Sequence, residues 1–140
     1  MPRRLLSILV LCCPFVFTAC GDGSAPTAGV VEKPVLNIYN WSDYIAPDTL
    51  ANFERETGIT VNYDVFDSNE VLEAKLLAGN TGYDIVVPSA NFVRRQIEAG
   101  LFRPVDRTLL TNHAHLDPAI LSALAAHDPG NRHVIPYMCG

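Results

Sequence analysis

From Val35 onward the spacing of apolar residues switches back and forth between period two and a helical period, and this alternation constrains the fold more than any other feature. Leu36 and Ile38 alternate with Asn37 and Tyr39, as in a strand with two unequal faces. Pro47 is placed for a helix start, Leu50 and Phe53 form one apolar face, and Gly58 is a stop. Ile59, Val61, Tyr63 and Val65 then alternate with Thr60, Asn62 and Asp64, which predicts a half-buried second strand. Asp67 and Glu70 have capping-box spacing before a helix that carries Leu72 and Leu76 at i,i+4 and ends at Gly79. Ile85-Val86-Val87, between Asp84 and Pro88, reads as a short strand buried on both faces. A third helix follows with Phe92, Val93 and Ile97 inward and Gly100 as its stop. Asp117-Pro118 opens a fourth over Ala119–Ala126, Asp128-Pro129-Gly130 turns the chain, and His133–Tyr137 reads as a further strand. Strands alternating with helices of this length require crossover connections, hence an α/β fold with a mainly parallel sheet and flanking helices.

In open sheets of that kind ligands bind beyond the carboxyl ends of the strands, where the strand order reverses. With order 2-1-3 the reversal lies between the first and third strands. The first ends in Trp41-Ser42-Asp43-Tyr44 and the third in Pro88-Ser89-Ala90, so two polar segments converge on one crevice. The first segment holds two aromatic faces, a hydroxyl and a carboxylate. An aromatic face attracts an ammonium by ~0.5–2 kcal/mol, depending on desolvation. A neighbouring carboxylate or hydroxyl accepts the N–H bonds that an ammonium must keep when it leaves water. Trp41, Ser42, Asp43, Tyr44 and Ser89 are therefore candidate ligands for an amine. The alternative, open at this point, is that Trp41 and Tyr44 only pack the end of a strand.

Residues 1–20 read as an export signal: Arg3 and Arg4, then an apolar run over Leu5–Phe17 that is short for a bilayer and interrupted by Pro14. The run ends in Phe17-Thr18-Ala19-Cys20, which resembles a bacterial lipoprotein box with Phe17 where Leu is usual. Cys20 is the candidate lipid anchor, and ordinary cleavage near Ala19 would instead release a soluble periplasmic protein. Residues 21–34, rich in Gly, Ala, Ser and Pro, read as a flexible tether. Cys12 and Cys13 fall within the signal, Cys139 has no obvious disulfide partner, and no Cys-x-x-Cys spacing occurs.

Other functions find little support. The net charge of −5 disfavours a nucleic-acid partner, since binding phosphates needs a basic face. Ser89 follows a strand and precedes a helix, but Val87-Pro88-Ser89-Ala90 lacks the glycines of a nucleophile elbow. None of His113, His115, His127 and His133 has a motif that would complete a triad, so no enzyme activity and no catalytic residue are assigned. His113-x-His115 lacks a supporting ligand set, and Asp64, Asp67 and Glu70 are accounted for by capping and solubility, so no metal is expected. Gly79-Asn80-Thr81-Gly82 lacks the Lys and the helix start of a phosphate loop, and no cofactor is expected.

Four segments carry a family resemblance: I-Y-N-W-S-D-Y-I-A-P-D-T over Ile38–Thr49, Y-D-V-F-D-S-N-E-V-L-E over Tyr63–Glu73, Y-D-I-V-V-P-S over Tyr83–Ser89, and H-D-P-G-N over His127–Asn131. With them, Leu36–Tyr137 resembles the periplasmic polyamine-binding proteins of ABC transporters, the putrescine and spermidine receptors, and most nearly the putrescine branch. The resemblance implies a type II periplasmic-binding-protein-like fold, a monomer that closes two lobes around an extended polyamine and delivers it to a membrane permease. It also implies that Trp41 and Tyr44 wall the aliphatic chain of the ligand, that Ser42 and Asp43 set polarity at one end, and that Ser89 contributes from the third strand end. Members of this family are more than twice as long, with strong ammonium partners later in the chain. Residues 35–140 are therefore expected to be a partial first lobe, truncated before the second, with Cys139 at a position where the family has an aromatic residue. The same resemblance allows a remnant without function, or a lobe that meets a membrane partner without ligand. On its own the segment is expected to bind polyamines weakly or not detectably, because charge–charge attraction is weak in open water.

Overall fold

The computed structural model describes residues 34–138. The expected signal, the candidate anchor Cys20, the expected tether apart from Pro34, and Cys139 lie outside the described residues. The described chain runs β1 (Val35–Trp41), α1 (Thr49–Thr57), β2 (Thr60–Phe66), α2 (Asn69–Ala78), β3 (Ile85–Val86) and α3 (Ala90–Glu98), followed by two short 3₁₀ turns and α4 (Pro118–Leu124). The three strands form a parallel sheet in the order β2-β1-β3, the order assumed from the sequence. Among the described residues no helix is long and apolar enough to cross a membrane.

Register sets the composition of each face. Tyr39 pairs with Asp64 and Trp41 with Phe66, so these four side chains share one face of the sheet. On that face Tyr39, Phe66 and the α2 residue Leu72 form the buried cluster, with Trp41, Leu76, Tyr83 and Val86 packed around it. Tyr39 meets Phe66 edge-on, with centroids 4.9 Å apart, one of the geometries that the ring quadrupole favours. The outer edge of β2 is partly closed from α1, where Glu54 Oε1 accepts the Val61 N–H at 2.7 Å, which removes one free donor from an edge open to unwanted pairing.

Several local expectations are corrected. The first helix begins at Thr49, two residues after Pro47, because Thr49 N–H still bonds Ala46 O in a preceding turn. The α2 cap is Ser68, not Asp67: Ser68 is extended and its Oγ accepts the Val71 N–H at 3.2 Å. Glu70 therefore sits one position too early for a capping box. Ser68→Ala is expected to cost about 1 kcal/mol, read as a lower urea midpoint at unchanged slope. β3 is not buried on both faces, since Ile85, on an edge strand, is 46% exposed. On α3 the inward stripe is Phe92, Val93 and Gln96, with Ile97 rotated to a half-buried position. α4 stops at Leu124, although Asp117 caps it as expected, accepting the Ala119 N–H at 2.7 Å.

His133–Tyr137 is not a strand. Its first two N–H groups, those of His133 and Val134, both donate to Asp128 Oδ2, at 2.7 and 3.0 Å. That carboxylate holds them away from any ladder.

Candidate functional site

β1 and β3 run parallel and end side by side, and the indole of Trp41 ties the two ends together. Its Nε1–H donates to Val87 O at 2.9 Å, which fixes the ring plane. One side of the ring packs on Phe66 with centroids 4.6 Å apart, and Trp41 remains half-buried. Tyr44 lies 5.9 Å away in a tilted arrangement, and Tyr137 lies 6.5 Å beyond Tyr44. The Tyr137 hydroxyl donates to Tyr44 O. The result is a row of three aromatic side chains, of which Tyr44 and Tyr137 are 38% and 53% exposed. Part of the row is therefore open to solvent, where an aromatic face attracts a cation.

Tyr63 supports the row from β2, with its hydroxyl 3.4 Å from Trp41 O. Burial is the main cause holding the Tyr63 phenol above its ordinary range; an Asn40 hydrogen bond opposes that and the neighbouring Tyr137 reinforces it. Tyr63 is therefore a neutral donor at physiological pH.

Ser42 and Asp43 are exposed beside this row and contact each other only weakly, Oγ to Oδ2 at 3.5 Å. Asp43 makes no ion pair among the described residues. Its carboxylate is available to an incoming cation. Ser89 is placed differently. It is the N-cap of α3, and its N–H donates to Asn69 Oδ1 at 2.9 Å while its Oγ accepts from Asn69 Nδ2 at 3.0 Å. This reciprocal pair ties the β3 end to the start of α2, and it leaves the Ser89 hydroxyl its hydrogen and one lone pair to offer a ligand.

The structure thus brings Trp41 and Tyr44 into one row with Ser42 and Asp43 at its flank, and holds Ser89 on the adjoining loop. Tyr137 and Tyr63 were not singled out from the sequence. The Tyr137–Tyr44 contact spans 93 residues, and nothing in the local pattern signals it. Among the described residues no group of three or more His, Cys, Asp or Glu could hold a metal ion.

What positions Tyr137 is the turn at Asp128. Asp128 is 1% exposed and accepts from His133 N–H, Val134 N–H and the His133 imidazole, the last at 3.0 Å. The Arg107 guanidinium donates to the carbonyls of Gly130 and Asn131, and Asn131 takes a positive φ of 48° in the same turn. Burial by itself pushes the Asp128 carboxyl up. The hydrogen bonds from the His133 side chain and from the backbone of His133, Val134 and Arg132 together outweigh it and hold the carboxyl below its ordinary range. The sign of the linkage follows. A depressed folded value stabilises the turn above the unfolded carboxyl value near 3.8 and loses that stability as pH falls through the folded value. Asp128→Ala leaves two N–H groups without an acceptor, at about 1–3 kcal/mol for each that stays buried. The expected result is lower stability at pH 7 and a difference from wild type that shrinks as pH falls below about 3.8, read by urea denaturation across that range. A wild-type-sized dependence on acid in Asp128→Ala would contradict the assignment.

A three-stranded parallel sheet with flanking helices and two strand ends converging on one crevice defines a class, an open α/β lobe. Comparison with known proteins gives the particular relatives. No family model matches the chain. It is 63% identical over 107 residues to the putrescine-binding periplasmic protein PotF of Escherichia coli, covering 76% of this chain and 29% of that one. It is 56% identical over 116 residues to the putrescine-binding periplasmic protein SpuD of Pseudomonas aeruginosa, covering 83% of this chain and 32% of that one. Among solved structures it superposes on the spermidine/putrescine ABC transporter substrate-binding protein PotD of Streptococcus pneumoniae with a TM-score of 0.71 at 40% identity, over 75% of this chain and 32% of that one. The chain is thus similar in sequence and fold to polyamine-binding periplasmic proteins, and it spans about a third of the length of those it matches. These relatives are solute-binding proteins.

Proposed function

We propose that residues 35–138 supply part of the first lobe of a receptor for putrescine or another polyamine in ABC-transporter uptake. Trp41, Tyr44 and Tyr137 line the alkyl chain, Asp43 and Ser42 face one ammonium, and Ser89 donates its hydroxyl hydrogen to a neighbouring polar group. The observation that carries this reading is the row Trp41–Tyr44–Tyr137 beside the unpaired carboxylate of Asp43, at the ends of parallel strands. In the same reading the protein is a periplasmic monomer, exported by residues 1–20, held to the membrane through Cys20 and the tether 21–34, and presented to a permease. It has no catalytic role.

Exposed cation–π contacts are worth about 0.5–1 kcal/mol each, rising to about 2 when desolvated. A half-site open to water therefore binds weakly, and tight binding requires enclosure by further chain. The test is a segment exchange, in which residues 35–138 replace the matching stretch of the Escherichia coli putrescine-binding relative and putrescine is titrated by calorimetry. Saturable binding is expected, far tighter than for the 140-residue chain alone. A folded exchange protein that binds no polyamine would overturn the proposal.

A further inference from the structure

Away from the strand ends, the same sheet face carries a second aromatic arrangement, and it is already occupied. Tyr39 and Tyr83 stack with centroids 4.7 Å apart and planes within 3°. The Lys75 ammonium, projecting from α2, lies 4.4 Å from the Tyr39 centroid and 4.9 Å from that of Tyr83. Its Nζ donates to the Tyr83 hydroxyl at 2.8 Å, and that hydroxyl donates in turn to Asp64 Oδ2 at 2.6 Å. Tyr39 is 4% exposed and belongs to the buried cluster, so one wall is rigid. Asp64 is placed opposite Tyr39 by the β1–β2 register. An open depression of about 650 Å³ adjoins the group, lined by both Asp64 and Tyr83 together with Asn37, Asn62 and Thr81.

Two ring systems, a hydroxyl acceptor and a carboxylate one bond further out are what a primary ammonium needs when it gives up part of its water shell. The occupant has that chemistry: beyond its Cβ, the Lys75 side chain is an alkylammonium. The Tyr83 hydrogen bond is the main cause holding the Lys75 ammonium above its ordinary range, while burial opposes it, so the occupant is charged at neutral pH.

We propose that Tyr39, Tyr83 and Asp64 form a second box for a primary alkylammonium group, distinct from the strand-end site, with Lys75 as its tethered occupant. Tethering gives Lys75 an effective concentration in the millimolar range or above, so free amines below that level do not displace it. Lys75 thereby keeps this box closed to the ligands that the strand ends take. With Lys75 removed, the box opens to small primary amines approaching through the depression.

The experiment compares the wild-type chain with Lys75→Ala, adding n-butylammonium chloride and, as a neutral control, 1-butanol. Ring signals of the tyrosines and the indole signal of Trp41 are followed by NMR. Saturable shifts of the Tyr39 and Tyr83 signals are expected in Lys75→Ala, in the millimolar range, absent with 1-butanol and weaker in Lys75→Ala/Asp64→Asn, whatever the Trp41 signal does. No saturable shift in a folded Lys75→Ala, or the same shift in wild type, would overturn the box. A response confined to Trp41 also overturns it, while leaving the strand-end site intact. Should Lys75→Ala not fold, Lys75 of the wild-type chain is dimethylated with ¹³C-formaldehyde and assigned using Lys33→Arg. Ring currents should displace its methyl signals upfield, and millimolar n-butylammonium should leave them there. Methyl signals at the free position from the outset would contradict the proposal.

Discussion

Trp41→Ala is expected to weaken putrescine binding by about 30-fold in a receptor carrying this segment, equivalent to about 2 kcal/mol. Three losses combine. The π face that would lie along the ligand disappears, Phe66 loses the ring packed at 4.6 Å, and the Nε1–H bond that joins the β1 end to Val87 is broken. Trp41→Phe separates these contributions, because it keeps a ring and deletes the donor. An intermediate loss is expected for it. Calorimetry of wild type, Trp41→Phe and Trp41→Ala in the exchange protein decides the matter, and equal affinities across the three would remove Trp41 from the site.

Leu72→Ala is expected to be the most damaging single change to the fold, by about 2–5 kcal/mol. Leu72 is fully buried between α2 and the sheet, against Tyr39 and Phe66. Because Tyr39 and Phe66 are also the supports of Trp41 and of the Lys75 box, a cavity here loosens both aromatic groups together. A domain of this size has a stability of only about 5–15 kcal/mol, so a loss of that size removes a large part of it. Leu77→Ala on the same helix is the control. Leu77 is 61% exposed, and its truncation should stay within about 0.5 kcal/mol. Urea denaturation of the two variants should show a large shift of midpoint for Leu72→Ala and almost none for Leu77→Ala; equal shifts would contradict the placement of the core.

The parts legible in the sequence were those written in local periodicity. Three strands and four helices follow from which residues alternate and where Gly, Pro and Asp interrupt them, whereas the order 2-1-3, and with it the convergence of Trp41 with the end of the third strand, was assumed as the common one. The misses arose where a side chain outside the pattern captured backbone groups. Asp128 takes the N–H groups of His133 and Val134, so a segment with strand-like composition becomes a loop. Ser68 takes the cap expected of Asp67 because its backbone is already extended. Gln96 is buried in place of Ile97, since the inward stripe of α3 is set by where Phe92 and Val93 pack. The site was half visible. Trp41–Tyr44 is contiguous and could be read directly, whereas Tyr137 and Tyr63 join it through contacts between distant segments that no spacing rule encodes.

Trp41 is the sole tryptophan of the chain, so the protein has one indole N–H signal and it reports from one end of the proposed aromatic row. Following that signal in a ¹H–¹⁵N NMR titration of the 140-residue chain with putrescine is the most direct measurement. A diamine site predicts a saturable displacement in the millimolar range that an equal ionic strength of sodium chloride does not reproduce. An indole signal that stays in place while putrescine displaces signals elsewhere would contradict the assignment of this aromatic row to polyamine binding.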